Sequence, residues 1–307
     1  MPAFLRDFTS FRLGGLVAAF RDTASPAEAA DAIRSWRARA VPFRILGSGT
    51  NILASDAGLP GEAVLRFAGG DAFPLAREGD LWTFSAAAAL DEVARFAVEN
   101  AFAGMSALSG IPGTLGGAAA GNAGAYGVSL GDLVAGAEIV ESDGTLHKVG
   151  ADAFAYEYRK SAFQDGTRLL ASVTLRLVPS ADGKGERARR EEILSERAGK
   201  HPILPFARTA GSFFRNLPPE TPGGRRRAAG ALLDAVGAKS MRAGGAAVFP
   251  KHANILIADR GDATAADVAT LAEKLRQAVK EKFSVSLVPE VRYWGDFAAS
   301  SYSTTAR

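Results

Sequence analysis

The chain of 307 residues contains no cysteine. Disulfides, zinc–thiolate centres, iron–sulfur clusters and thiol nucleophiles are therefore excluded. Histidine is scarce: His147, His201 and His252 are scattered and lack metal-ligand spacing. The formal charge is only +3, from 36 basic and 33 acidic residues. That balance suits small anionic ligands and gives no ground for a nucleic-acid partner. The opening MPAFLRDFTSFRLGG has no apolar core of signal-peptide length, so the expected location is the cytoplasm. Neither Gly-Lys pair completes a Walker lysine loop. After Gly47 and Gly49 the third glycine of a dinucleotide fingerprint is replaced by Ile52.

Charge is missing locally as well. From Asn100 to Gly131 there is no ionisable side chain except Tyr126. The stretch is long enough to cross a bilayer, but Pro112, the glycines from Gly104 to Gly127 and interspersed Ser, Thr and Asn make it a poor membrane helix. No membrane partner is expected. The chain as a whole is ordinary globular material, 47% hydrophobic and 22% charged.

At roughly 100–200 residues per domain the length predicts two or three domains. Ser25-Pro26-Ala27-Glu28 reads as a capping box opening a helix that runs to about Arg39. Strands are expected at Val41–Leu46, Glu62–Phe67 and Leu81–Ala86, and a helix at Asp91–Ala101. Asp143-Gly144 joins a hairpin of Ala137–Glu141 and Thr145–Val149. Arg168–Val178 is β-rich. The polar run Pro179–Glu192 reads as a domain boundary leading into a helix. Beyond it come a helix at Ala228–Val236 capped by Gly237, strands at Ala246–Phe249 and Asn254–Ala258, a helix capped by Thr264, and a closing strand at Ser284–Tyr293.

Two glycine loops carry the chemistry. Gly47-Ser48-Gly49-Thr50-Asn51 follows a strand, where glycines permit an anion-binding nest and the polar side chains add donors. The second runs through Ser109, Gly110, Ile111, Pro112, Gly113, Thr114, Gly116 and Gly117, then Asn122-Ala123-Gly124. Ordering so much glycine costs backbone entropy, which a ligand bed offsets better than an idle loop. Lacking lysine and arginine, such a bed would hold a diphosphate on backbone amides and hydroxyls, Gly116 among the positions of close approach. Two such loops suggest a dinucleotide held outside a Rossmann fold.

Further blocks lie in order along the chain: TSFRLGG from Thr9, SGIPGTLGG and NAGAYG from Ser109 to Gly127, Tyr158-Arg159-Lys160-Ser161, AGSFFRN from Ala210 to Asn216, Gly244-Gly245-Ala246 and Pro289-Glu290-Val291-Arg292. With these blocks the chain resembles the UDP-N-acetylenolpyruvoylglucosamine reductase family, in its shorter form without an inserted tyrosine loop. The resemblance implies an α+β architecture: a two-subdomain FAD-binding fold of the vanillyl-alcohol-oxidase type, plus a C-terminal α/β substrate-binding domain. The expected divisions are 1–66, with the tail 291–307 packed on it, then 67–190 for FAD and 191–290 for substrate.

The resemblance also implies the reaction. NADPH would reduce non-covalent FAD, which would reduce the enolpyruvyl ether of a UDP-sugar in peptidoglycan precursor synthesis. Arg159, Ser212 and Glu290 would be catalytic, with Ser212 the proton donor and Glu290 an acid that would need a raised pKa. Tyr126, Arg215, Asn216, Lys239 and His252 would contact substrate. A monomer is expected. Ser240 and Phe249, and Gly121 before Asn122, depart from the family pattern. Two alternatives stand beside this reading: another non-covalent FAD oxidoreductase of the same fold, and a non-catalytic flavin-binding regulator.

Overall fold

The computed structural model describes residues 1–69, 73–202, 206–221 and 223–297. They form two compact units. The first comprises Met1–Pro2, Ala18–Ser48 and Gly61–Arg197; the second comprises Ala3–Val17, Gly49–Pro60 and the chain from Ala198 onward. Residues 3–17 and 49–60 thus cluster with the C-terminal residues. Of the tail 291–307, residues 298–307 lie outside the described ones.

In the first unit, helix α1 (Pro26–Ala38) opens on Ser25, whose side chain accepts the Glu28 N–H, while Glu28 accepts the Ala24 N–H. The Ser25 cap satisfies one orphan donor of the first turn, while Glu28 reaches past the Ser25 N–H to that of Ala24, so the reciprocal half of the expected capping box is not made. Its buried face, Ala29, Ile33 and Trp36, packs on Ala63, Leu65, Val140 and Leu169. The strand expected from Val41 begins at Phe43, past Pro42, and pairs in parallel with Leu59–Phe67 in the register Phe43↔Ala63 to Leu46↔Arg66. An antiparallel sheet orders Leu146–Gly150, Val134–Val140, Leu169–Arg176, Leu81–Ser85 and Ala76–Glu78. Gly144 makes its hairpin possible at φ +85°. Helix α2 (Leu90–Glu99) buries Leu90, Val93 and Ala97 in the same core as Phe84, Leu115 and Val173.

Two elements differ from expectation. Part of the glycine loop is helical: α3 spans Leu115–Gly121, with the Thr114 side chain accepting the Gly117 N–H at 3.1 Å. Helical glycine costs about 1 kcal/mol against alanine, and here tertiary contact outweighs it. Gly116 donates to the Ala86 carbonyl at 2.8 Å, and a Cβ on it would stand 2.8 Å from the Ala86 Cβ. In this structure the close approach that Gly116 permits is to Ala86.

The polar run Pro179–Glu192 leads into a helix, as expected, but much of the run is itself helical. Helix α4 (Gly183–Lys200) starts inside it, with Asp182 accepting the Gly185 N–H. Ile193 is its one buried residue among those described. The lack of an apolar stripe hid its early start, because an ion pair and hydrogen bonds hold it rather than a hydrophobic face.

In the second unit, helix α5 (Ala229–Ala235) and helix α6 (Ala265–Phe283) pack on a sheet of Arg242–Ala243, Ala246–Val248 and Leu256–Ala258. Gly237 follows α5 in the left-handed region, as expected. A capping box of Thr264 and Asp267 starts α6, and Asp56 also accepts the N–H groups of Ala265 and Ala266. The closing strand is shorter than read: only Arg292–Trp294 is regular, pairing in parallel with Ile52–Ala54. Ser284 ends α6 with φ +56°, and Pro289, which has no N–H to donate, interrupts the segment between.

Gly116→Val should lower stability by about 2 kcal/mol, the usual scale for an overpacked site. Thermal unfolding of the protein without FAD would read this; an unchanged melting temperature would refute the Ala86 contact.

Candidate functional site

In the first unit the two glycine loops meet. A Cβ on Gly47 would lie 2.9 Å from the Thr114 hydroxyl. Most amides of the second loop are already used. Ser109 donates to Ser106, Gly110 to Asp91, Ile111 to Leu108, Leu115 to Ala88 and Gly116 to Ala86. The amides of Ser48, Gly113 and Thr114 have no acceptor among the described residues. The Ser109 hydroxyl is fully buried and also lacks a partner. Open amides and a buried orphan hydroxyl beside a glycine at the loop contact fit the diphosphate of a dinucleotide. Within the expected set, Ser48, Ser109, Gly113 and Thr114 offer free groups. Gly110, Ile111 and Gly116 hold the loop's shape.

Asn122 ends α3 in the left-handed region at φ +46°. Its amide donates to the Glu157 carbonyl at 2.8 Å and accepts the Gly131 N–H at 3.0 Å, so it anchors the segment carrying Arg159. Arg159 is itself left-handed at φ +55°, a conformation unusual for a long side chain. Its guanidinium donates to the carbonyls of Asn122 and Gly124. Glycine at 124 permits close backbone packing, since a Cβ would stand 2.6 Å from the Val128 carbonyl oxygen and also 3.1 Å from Arg159 Nη1. The Ser161 hydroxyl donates to the Ala120 carbonyl. The blocks NAGAYG and YRKS are thus knitted into one structure that orients a fixed positive charge.

In the second unit, Ser10 fastens the first loop by donating its N–H to the Gly49 carbonyl at 3.0 Å, and its hydroxyl donates to the Thr209 carbonyl at 2.6 Å. Gly49 has φ +65°, and a Cβ there would strike the Phe8 carbonyl. Asn51 reaches further: its amide donates to the Glu290 carbonyl at 3.2 Å, and its own carbonyl accepts the Arg292 N–H. Glu290 in turn donates its N–H to the Phe213 carbonyl at 2.8 Å. Ser212 and Glu290 therefore lie on hydrogen-bonded neighbouring segments. Ser212 is half-buried, follows Gly211 at φ +74°, and makes no hydrogen bond among the described residues. Beneath it, buried Asn254 donates to the Phe214 carbonyl and accepts the Phe214 N–H, and its carbonyl takes the Phe213 N–H.

The expected substrate contacts are mostly engaged. Tyr126 donates to Glu196, Asn216 accepts the Ala229 N–H at the start of α5, and Lys239 pairs with Asp234 at 2.8 Å. Arg215 keeps a buried Nε without a partner among the described residues. His252 accepts the Asn254 N–H at Nδ1. Burial lowers its pKa, with Lys239 and Lys200 acting in the same direction and Asp234 opposing.

Residues 17–150 match the FAD binding domain family, and residues 203–294 match the UDP-N-acetylenolpyruvoylglucosamine reductase C-terminal domain. The chain is 39% identical over 295 residues to the UDP-N-acetylenolpyruvoylglucosamine reductase of Paramagnetospirillum magneticum, covering 94% of this chain and 89% of that one. It is 38% identical over 293 residues to that of Rhodospirillum rubrum, covering 95% and 88%. The chain belongs to the UDP-N-acetylenolpyruvoylglucosamine reductase family. A crystal structure of the family's enzyme from Thermus caldophilus has a TM-score of 0.76 at 29% identity, over 96% of this chain and 98% of that one. The fold is thus the family's FAD-binding part followed by its C-terminal domain.

Within this reductase family frame, several residues escaped the sequence reading. Asp91, Arg190 and Arg197 brace the glycine loop, and Asn254 braces the Ser212 segment. A signal existed for two of them: Arg190 and Arg197 stand seven apart, on one helical face with Ile193 and Leu194. Asn254 is a lone polar residue between Ala253 and Ile255.

Asn254→Ala would strip partners from both polar groups of buried Phe214, at about 2–3 kcal/mol. It should cut turnover more than FAD content; equal turnover per bound flavin would refute its role beneath Ser212. A pH effect follows from His252. Its folded pKa lies below the ordinary 6.5, so the unfolded chain takes the proton first. Its stabilising contribution is full above about pH 6.5 and is lost as pH falls through that value toward the folded pKa. The drop in melting temperature between about pH 7.5 and 5.5 should shrink in His252→Gln; an identical drop would refute it.

Proposed function

We propose that the chain is an FAD-dependent oxidoreductase that reduces UDP-N-acetylenolpyruvoylglucosamine to the UDP-N-acetylmuramate used in peptidoglycan synthesis, with NADPH as hydride donor, in the cytoplasm. No helix among the described residues is long and apolar enough to cross a membrane, in keeping with that location. The observation that carries the reading is the hydrogen bond joining the Ser212 and Glu290 segments through Phe213, in a chain that also holds an FAD-binding domain.

When bound, FAD supplies the route by which hydride passes from NADPH to the terminal vinyl carbon. The protein has two remaining tasks at the substrate: stabilising the negative charge that develops beside the carboxylate, and protonating the adjacent carbon. Arg159 takes the first task. Its guanidinium is always charged and is held by the Asn122 and Gly124 carbonyls, so it need not reorganise as charge develops. Ser212 takes the second. A hydroxyl is a weak acid, but the carbon it faces is strongly basic, and positioning makes up the difference. Having no internal bond to break, the hydroxyl is available to the substrate. Glu290 supports the donor from the neighbouring segment. Ser48, Ser109, Gly113 and Thr114 hold the cofactor diphosphate, and Arg215 offers a free donor to an anionic substrate group.

Ser212→Ala should separate the two half-reactions. NADPH should reduce the flavin at a near-normal rate, because that step takes no proton from Ser212. Reoxidation by the enolpyruvyl sugar nucleotide should slow by at least about 10²-fold, the lower end for loss of a positioned acid. Stopped-flow absorbance of the flavin gives each rate. Slowed reduction with intact reoxidation would overturn the assignment. A wild-type protein whose flavin is never reoxidised by that substrate would favour a different flavin oxidoreductase or a regulator.

A further inference from the structure

Helix α4 meets the glycine loop along a line of charged contacts centred on Asp91, in the first turn of α2. Asp91 Oδ1 accepts the Gly110 N–H at 2.7 Å. Arg190 of α4 grips the same carboxylate at both oxygens, at 2.7 and 3.0 Å. The Arg190 side chain is 12% exposed and that of Asp91 40%. Two turns along α4, Arg197 Nε donates to the Gly110 carbonyl at 3.2 Å. Leu194 stands 3.0 Å from where a Cβ on Gly110 would lie. Both polar groups of Gly110, at φ +71°, are thus held by charged side chains.

This bracing has a reason in the loop itself. A loop that keeps its Gly113 and Thr114 amides open for an anion has fewer internal bonds to hold its shape. Its second half is held by Leu90 N–H on the Gly113 carbonyl and by Leu115 and Gly116 on Ala88 and Ala86. In its first half Ser109 and Ile111 donate to the Ser106 and Leu108 carbonyls, and the Gly110 peptide between them is held by Asp91 and Arg197. A carboxylate is an awkward brace beside an anion site, because its charge repels the ligand. Arg190 cancels that charge through a two-pronged bond.

We infer that Asp91 and Arg190 are a positioning pair for the cofactor: Asp91 holds the Gly110 peptide so that the neighbouring amides stay open, and Arg190 neutralises Asp91 so that the diphosphate is not repelled. The carboxylate is ionised at neutral pH. Burial works to raise its pKa, but the bonds from Arg190 and Gly110 outweigh burial and hold it below the ordinary range. The inference rests on the FAD-binding reading above.

The test is FAD affinity, measured by quenching of flavin fluorescence on deflavinated full-length protein shown to be folded by circular dichroism. Arg190→Ala leaves an unneutralised carboxylate and should weaken FAD at least about tenfold at low salt. The defect should shrink at about 1 M salt, where the Debye length falls to about 3 Å. Adding Asp91→Asn to Arg190→Ala removes the offending charge and should restore affinity toward wild type. A purely structural role predicts the reverse: no salt dependence, and a double variant no tighter than Arg190→Ala. Either of those results, or an Arg190→Ala affinity within about twofold of wild type at low salt, overturns the inference. Should Arg190→Ala not fold, Arg190→Gln is judged by the same criteria. Wild-type protein that takes up no FAD would overturn the FAD reading as well; normal wild-type uptake with unchanged variants overturns this inference alone.

Discussion

A diphosphate cradle built without lysine or arginine has to leave backbone amides unpaired inside a folded protein. Each unpaired amide costs free energy until the ligand arrives, and a loop free to move would close those amides on its own carbonyls. The first unit is organised against that collapse. Leu90, Ala88 and Ala86 bond the Gly113, Leu115 and Gly116 backbone, Asp91 and Arg197 take both groups of Gly110, and Thr114 spends its hydroxyl on Gly117. After those bonds, the amides of Gly113 and Thr114 remain open, next to Gly47 of the first loop. The abundance of glycine follows from the same demand, though each glycine answers it differently. Gly116 lets a helix sit on Ala86, and Gly124 lets the backbone approach the Val128 carbonyl closely.

The second unit meets an opposite requirement. As the proposed proton donor, Ser212 has to be held still while its own hydroxyl stays free. The backbone around Ser212 is therefore heavily bonded: Phe213 and Phe214 are tied to Asn254 on one side, and Phe213 and Arg215 to Glu290 and Val288 on the other. Buried Phe213 and Phe214 anchor the segment in the apolar core with Leu256, Leu275 and Leu287. The hydroxyl has lost its mobility to the backbone beneath it and none of its hydrogen-bonding capacity. Asn51 extends the arrangement by tying the end of the first glycine loop to the Glu290 carbonyl.

Local rules made much of this legible. The helix caps at Ser25 and Thr264, the Asp143-Gly144 hairpin and the Gly237 cap depend on a few adjacent residues, and each forms where the residues call for it. The two glycine loops and the Arg159, Ser212 and Glu290 blocks stood out through motif resemblance. What stayed hidden depends on partners distant in sequence. Nothing near Gly116 announces Ala86. Nothing near Asn216 announces that its side chain accepts the Ala229 N–H at the start of α5. The helical state of Leu115–Gly121 runs against glycine's propensity and is imposed by tertiary contact.

Helix α4 carries that lesson furthest. Periodicity finds helices that bury an apolar stripe, and α4 buries Ile193 and little else. Its energy comes from Arg190 on Asp91, Glu186 on Ser106 and Arg197 on Gly110, contacts whose partners lie about 80 to 100 residues earlier in the chain. Charge in a sequence usually marks solvent, because an exposed ion pair contributes only about 0–1 kcal/mol. Here the charges face a loop whose backbone has been kept from bonding itself, and only charged or strongly polar side chains have the reach and the donors to brace it. A charged run following a glycine-rich, charge-free stretch is then the expected complement of that stretch, and the two are best read together.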